Sequence, residues 1–311
     1  MYKLSLSIET SRVHLHQLHE VNIESSWQEF TDTAVVQLPY MTYLSGTSIK
    51  NAFKTGDAIS IKLGYDEDLQ EVFKGYIARV EAGVPIKLHL EDEAYLLKKR
   101  AVAPKQFTSA SLAQVLNYIG VSKFKTIGEV QLGTFVIDKD LNTAAKVLNR
   151  IKESYGLHSF YRQGLLNIGT VHSGGGNHKF HLQNNVISDE LEFKTKDEIR
   201  LEVEAKSYSA DGKVLVYKFG DTDGEKRTLH YYGLGKSDLE KMAKKDYERF
   251  AYEGFHGKFT AFGAPLVRHG EIVQITDDFS EKTGRYYVDA VTYSFGMGGY
   301  RQDIELGKAA I

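Results

Sequence analysis

The sequence predicts a mainly β protein carrying an α/β insert, and three observations support that reading. Apolar residues alternate with polar ones at both ends of the chain, the period of a half-buried strand. Glycine is abundant (28) and proline scarce (4), with 19 Tyr and 16 Phe against one Trp, a composition suited to sheet and turns. Between the two β-patterned regions, over about 101–190, the apolar spacing changes to that of helices.

The first block reads as a series of strands. Leu4, Leu6 and Ile8 alternate with polar neighbours, as do Val13 and Leu15. Residues 34–38 form a strand that Pro39 stops. Gly56-Asp57 launches an alternating strand through Ile59, Ile61 and Leu63, followed by 72–80, a turn at Gly83, and 86–90. Residues 94–100 are a short helical or extended exit.

In the middle, Leu112, Val115, Leu116 and Ile119 predict a helix over 109–119 that stops before Gly120. A second helix runs from an Asn142 or Thr143 N-cap through Ala145, Val147, Leu148 and Ile151 to Tyr155, closed by Gly156. Strands at 158–161 and 165–168, joined by Arg162-Gln163-Gly164, complete the insert, and Ser173-Gly174-Gly175-Gly176-Asn177 reads as a flexible loop. From about 191, strands return at 192–195, 199–209 and 213–219, with Asp211-Gly212 as a hairpin signal. A helix over about 236–251 opens with Ser237-x-x-Glu240, the pattern of a capping box, and 254–307 is again β. The expected domains are 1–100, 101–190 and 191–311.

Composition excludes several functions. With 39 basic and 41 acidic side chains the net charge is −2, which argues against a dedicated nucleic-acid binder. Cysteine is absent, which removes disulfides, thiol nucleophiles, thiolate zinc sites and iron–sulfur clusters. No apolar run approaches the roughly 18 residues of a membrane span, so no membrane insertion is expected. The alternating N-terminus lacks the apolar core of a leader, and the expectation is a chain made in a cytoplasm from about residue 1.

The two β blocks echo each other. Gly56-Asp57, an alternating strand, Gly75-Tyr76-Ile77 and then Ile86 to Leu90 correspond to Gly270-Glu271, an alternating strand, Gly284 to Val291 and then Gln302 to Leu306. Gly56 to Leu90 spans 34 positions and Gly270 to Leu306 spans 36. Two readings are open: the shared grammar of any two antiparallel meanders, or a duplicated small barrel separated by the insert.

No phosphate-binding loop, dinucleotide fingerprint, nucleophile elbow or zinc helix is present. Three acidic runs, Asp66-Glu67-Asp68, Glu91-Asp92-Glu93 and Asp277-Asp278, read as solvated loop charges at strand ends. Their rival use is a cell-wall hydrolase, whose activity would be lost on replacing Glu91, Asp92 or Glu93. Histidines cluster at His14, His16 and His19 and again at His172, His178 and His181. His14 and His16 share one strand face, the arrangement of a shared metal, but no carboxylate stands at a diagnostic spacing. A polar strand face and a loop account for both groups, so no metal, cofactor or catalytic residue is expected. The pairs Tyr231-Tyr232 and Tyr286-Tyr287 suggest stacking faces for a glycan or receptor, a second rival, or else half core and half surface.

The stretch from Trp27 through Phe30-Thr31-Asp32-Thr33-Ala34 to Leu38-Pro39 resembles the opening of tail hub proteins from Mu-like contractile phages. Residues 73–85 and 91–97 look like their first barrel. Tyr252-Glu253-Gly254, Gly257, Thr260, Gly263, Pro265, Arg268 and Gly270 look like the second, closed by Phe295-Gly296, Tyr300-Arg301-Gln302, Ile304 and Leu306-Gly307. This is the late control protein D or baseplate hub family, related to the N-terminal part of type VI secretion spike proteins. The resemblance implies a non-enzymatic homotrimer in which two barrels per chain make a pseudo-sixfold ring. That ring would join a hexameric tail tube to a trimeric spike, which the end of the chain at Ile311 places on a separate polypeptide. The implied partners are the tube protein, the spike and baseplate wedge proteins, with DNA only as passing cargo. The implied location is the virion tail, assembled in the bacterial host cytoplasm.

Overall fold

A computed structural model of the chain describes residues 3–39, 43–44, 47–48, 52–172, 175–209 and 212–310. Ser173, Gly174 and Asp211, which belong to the expected glycine loop and hairpin, lie outside the described residues.

The fold is mainly β and is built on two similar halves. The first half has six main strands: β1 (Leu4–Thr10), β2 (Glu20–Ser26), β3 (Thr33–Leu38), β4 (Ala58–Tyr65), β5 (Asp68–Glu81) and β6 (Ile86–Glu91). Alternation dictates which face is buried: in β6, Ile86, Leu88 and Leu90 point inward while Lys87 and His89 do not. A short helix, α1 (Ala94–Lys99), leads into the insert. There β7 (Lys105–Ser111), α2 (Leu112–Tyr118), β8 (Phe124–Thr126), β9 (Gln131–Ile137), α3 (Ala144–Tyr155), β10 (Ser159–Arg162) and β11 (Leu165–Ile168) enclose a core of their own. Thr143 caps α3 and Gly156 ends it in the left-handed conformation at φ 65°, as the sequence predicts.

The second half begins with β12 (Asn177–His181) and β13 (Val186–Lys194). A small unit follows, made of β14 (Leu201–Tyr208), β15 (Val214–Gly220), β16 (Glu225–Tyr232) and α4 (Lys236–Phe250). In it, Leu239 and Ala243 of α4 seal Leu201, Val203 and Ala205 of β14. The half then closes with β17 (Gly254–Phe262), β18 (Ile272–Asp277), β19 (Lys282–Gly296) and β20 (Gly299–Ala309). None of the helices among the described residues is long and apolar enough to cross a membrane.

Three expectations need correction. The expected boundary at 190 falls inside β13, and β12 precedes it. Both strands are bonded into the second half, β12 to β18 and β13 to β17. The helix expected over 109–119 starts only at Leu112, because Ser111 turns the chain and caps it. The Ser111 hydroxyl accepts from the Gln114 amide, and the Gln114 side chain accepts from the Ser111 amide. The capping box expected at Ser237 and Glu240 does not form: Gly235 is the N-cap, its carbonyl taking the Leu239 amide, and Ser237 falls within the first turn.

Strand order settles the echo in favour of a repeat. The first half runs β1-β4-β5-β6-β3-β2 across the sheet and the second runs β12-β18-β19-β20-β17-β13, the same spatial order from the same chain order. One difference is that β1 pairs antiparallel to β4 while β12 pairs parallel to β18. The likeness extends to single hydrogen bonds at the turn that launches each meander. Gly56 (φ 91°) donates to the Ile77 carbonyl, and Gly270 (φ 76°) donates to that of Val288. The Ile77 amide returns to Asp57 and that of Val288 to Glu271, while the Asp57 and Glu271 amides reach back to Lys54 and Arg268. Each acidic side chain accepts from the amide three residues earlier, Asp57 from Lys54 and Glu271 from Arg268, both at 2.9 Å. A register shift follows Ile77 in β5 and Val288 in β19.

Both carboxylates also hold a cation or imidazole: Asp57 pairs with Arg12 at 2.5 Å and Glu271 with His178 at 3.0 Å. Asp57→Ala and Glu271→Ala are therefore expected to cost similar amounts, about 1–2 kcal/mol each. Denaturant titration of the two variants checks this, and a near-zero cost at either turn would contradict the equivalence.

The halves are joined by β2, which pairs with β3 on one side and with residues 290–296 of β19 on the other. The result is one 13-stranded sheet over one apolar core to which both halves contribute.

Candidate functional site

The loop between β2 and β3, Trp27 to Asp32, lies where the first half, the insert and the second half meet. The Trp27 indole donates to Asp289 at 3.1 Å and its ring meets His158 of the insert edge-on at 5.0 Å. Ser26 donates to the Asp289 carbonyl, and Lys152 of α3 donates to the carbonyl of Gln28. The position of Asp289 leaves no room for a side chain at Gly307, where a Cβ would sit 2.1 Å from its Oδ1.

Beside this loop a cleft of about 360 Å³ is lined by residues of all three parts, among them Asp32, Asp92, Glu93, Arg162, Arg268 and His269. The Ser25 hydroxyl and the Ser26 amide donate to Asp32, at 2.6 and 3.2 Å. Asp92 accepts from the amides of Ala94 and Asp32, at 2.9 and 3.2 Å. Burial pushes the Asp32 carboxyl up to about 6, against the pull of Ser25, Ser26 and Arg162. Burial and then the neighbouring charge of Asp32 push Asp92 well above the carboxylate range, and burial raises Glu93. Arg162 donates to the backbone carbonyl of His269 and lies 3.3 Å from its Nδ1. Burial first, then the guanidinium, hold the His269 imidazolium pKa down to about 3, so the ring is neutral.

This cluster has the raised carboxyls that acid catalysis needs. Each oxygen of Asp32 and Asp92 also accepts from a backbone amide or hydroxyl of the same chain, which ties the β2–β3 loop to the start of α1. The cleft thus works as a polar joint.

The residues singled out in the sequence are dispersed. His14 and His16 do lie side by side, ring centroids 4.3 Å apart. Each has a protein partner, His14 the Ser7 hydroxyl at 2.7 Å and His16 the Leu6 carbonyl at 3.2 Å. His172 stacks on Tyr287 at 3.9 Å, His178 bonds Glu271, and His181 lies 3.8 Å from Asp278, so the three do not converge on one point. Among the described residues no group of three or more potential ligands could hold a metal ion. Asp66, Glu67 and Asp68 are exposed, and Glu91 pairs with Lys98 at 2.8 Å. Asp92 departs from the solvated-loop expectation: it is buried, with its side chain accepting the amide of Ala94 at the start of α1 and that of Asp32 in the β2–β3 loop. Tyr286 is a core residue that accepts the Phe255 amide, and the Tyr231 hydroxyl donates to Asp246 of α4. Arg162 and His269 were missed, since neither stands in a motif. Asp32 stood within the quoted Thr-Asp-Thr-Ala stretch, the one signal that pointed toward the joint.

No family model matches the chain, and no curated protein resembles it in sequence. Solved structures do. A tail protein from Neisseria meningitidis MC58 superposes with a TM-score of 0.67 at 17% identity, over 99% of this chain and 97% of that one. The 43 kDa tail protein of prophage MuSo2 from Shewanella oneidensis gives 0.65 at 15% identity, over 98% and 97%. The E. coli c3393 protein, a component of the type VI secretion system described as similar to T4 tail proteins gp27 and gp5, gives 0.58 at 9% identity, over 99% and 77%. The chain has the fold of phage tail proteins. A component of the type VI secretion system shares that fold, in line with the resemblance read from Trp27 to Pro39 and from the two β blocks.

Proposed function

We propose that the chain is a structural, non-enzymatic hub of a contractile tail or related injection machine. Three copies form a ring of six similar halves around a channel, between a hexameric tail tube and a trimeric spike protein. Baseplate wedge proteins meet the ring from outside, and DNA crosses it only as passing cargo. The near-neutral charge suits such a channel, because a strongly basic wall would retain phosphate. We place the assembled ring in the virion tail, built in the bacterial host cytoplasm.

The observation that carries this reading is the join between the halves. Within the chain, β2 of the first half pairs with β19 of the second. The counterparts are β13 and β5. The outer edge of β13 pairs with no strand among the described residues, and β5 beyond Ile77 pairs only with β6 on its other side. Repeating the same step from the second half brings it to the first half of another copy. A heterologous contact of this kind closes into a ring when the rotation fits. It also covers an edge that would otherwise invite aggregation.

The test is mass in solution followed by end-on electron microscopy. Three-copy particles with six lobes and an open centre are expected. A chain that remains monomeric at high concentration would overturn the reading.

A further inference from the structure

Two of the three most exposed large apolar side chains among the described residues are Phe279 (88%) and Val84 (83%). Each sits in a turn, Phe279 between β18 and β19 and Val84 between β5 and β6. In isolation a phenylalanine so placed gains nothing for the fold and exposes its whole ring to water.

The repeat gives both residues a counterpart. Phe279 lies nine residues after Gly270, as Tyr65 lies nine after Gly56. Val84 lies six residues before Leu90, as Tyr300 lies six before Leu306. Leu90 and Leu306 are matched independently, because each pairs with the strand residue that the launching turn holds: Ile77 with Leu90 and Val288 with Leu306. Tyr65 and Tyr300 are in contact across the join inside the chain. The Tyr65 hydroxyl donates to the Tyr300 carbonyl at 2.7 Å and accepts from the Gly263 amide at 3.2 Å, with the rings 5.7 Å apart. First-half Tyr65 meeting second-half Tyr300 thus has a mirror requirement one step around the ring: second-half Phe279 meeting first-half Val84 of the following copy.

We infer that Phe279 of one copy packs against Val84 of the next, forming the apolar contact that closes the ring between chains. The inference rests on the ring reading above and adds the residues that make its inter-chain seam. Inside the chain the seam is a tyrosine pair with hydrogen bonds, which fixes one geometry permanently. Between chains it is a purely apolar pair, which can form after each copy has folded.

The chain has no cysteine, so introduced thiols report without background. Phe279→Cys and Val84→Cys chains are coexpressed, treated with a short bismaleimide, and compared with each variant alone and with the doubly substituted chain. Linked pairs are expected only in the mixture, and a ladder ending at three copies is expected in the double variant. Separately, Phe279→Ser should raise the concentration needed for assembly about tenfold or more while leaving the far-ultraviolet spectrum unchanged. Three-copy particles that do not link through these positions, or that assemble equally well with Phe279→Ser, would overturn this contact and leave the ring reading standing. A wild-type chain that stays monomeric by mass would overturn both.

Discussion

Replacing Tyr300 by alanine is expected to cost about 3–5 kcal/mol and to loosen the two halves from each other. The ring is 1% exposed and belongs to the core that both halves share. Removing a buried aromatic of that size leaves a cavity that the surrounding strands fill only in part. The site has little freedom to collapse: Gly263 lies so close that a Cβ there would stand 2.1 Å from the Tyr300 ring, and Phe295 flanks it at 6.0 Å between centroids. Tyr65 from the first half rests on the same ring, so the loss falls on the join as well as on the second half. Tyr65→Phe, which removes the hydroxyl that bonds the Tyr300 carbonyl and the Gly263 amide, should cost about 1 kcal/mol. Denaturant titration compares them, and near-equal small costs would show that the tyrosine pair does not hold the halves together.

Arg162→Ala is expected to cost about 3 kcal/mol at pH 7 and less at pH 5. Arg162 ends β10 in the insert yet bonds His269 in the second half, and its charge favours ionised Asp32 in the first. Removing one member of such a partly buried set leaves the others uncompensated. Asp32 titrates at about 6 in the folded chain, above the roughly 3.9 of an unfolded aspartate. A raised carboxyl favours the fold while protonated, so that contribution is lost as pH rises through this window. Arg162 limits the loss; without it the folded value moves higher and the loss continues to higher pH. Stability measured for both proteins at the two pH values tests the argument. A penalty that is equal at both, or larger at pH 5, would remove Arg162 from the electrostatics of the joint.

Much of the architecture was legible because it depends on short-range periodicity. The alternation of Ile86, Leu88 and Leu90, the Thr143 cap and the Gly156 stop each carry their own physical cause within a few residues. The repeat was legible as well, since its launching turn needs glycine at positive φ followed by an acid able to reach back three residues. What the sequence hid was long-range. β12 and β13 contain His178, Lys179, Asp189, Glu190 and Glu192, and their polar character masks strands whose partners lie some 90 residues on or are separated from them by a whole inserted unit. The joint was hidden for the same reason: Asp32, Asp92, Arg162 and His269 are ordinary polar residues until pairing between distant strands brings them together. Ser237 and Glu240 show the converse, a local pattern overridden because Gly235 already supplies the cap.

The passage from β2 to β3 takes only Trp27 to Asp32, while its counterpart from β13 to β17 takes residues 195–253 and carries a sheet and a helix of its own. The two halves are therefore alike in their framework and unequal in their load. In the proposed ring every second tooth of the wheel would be enlarged, so a neighbour that engages only the shared framework would find six matching positions and one that engages the added unit would find three.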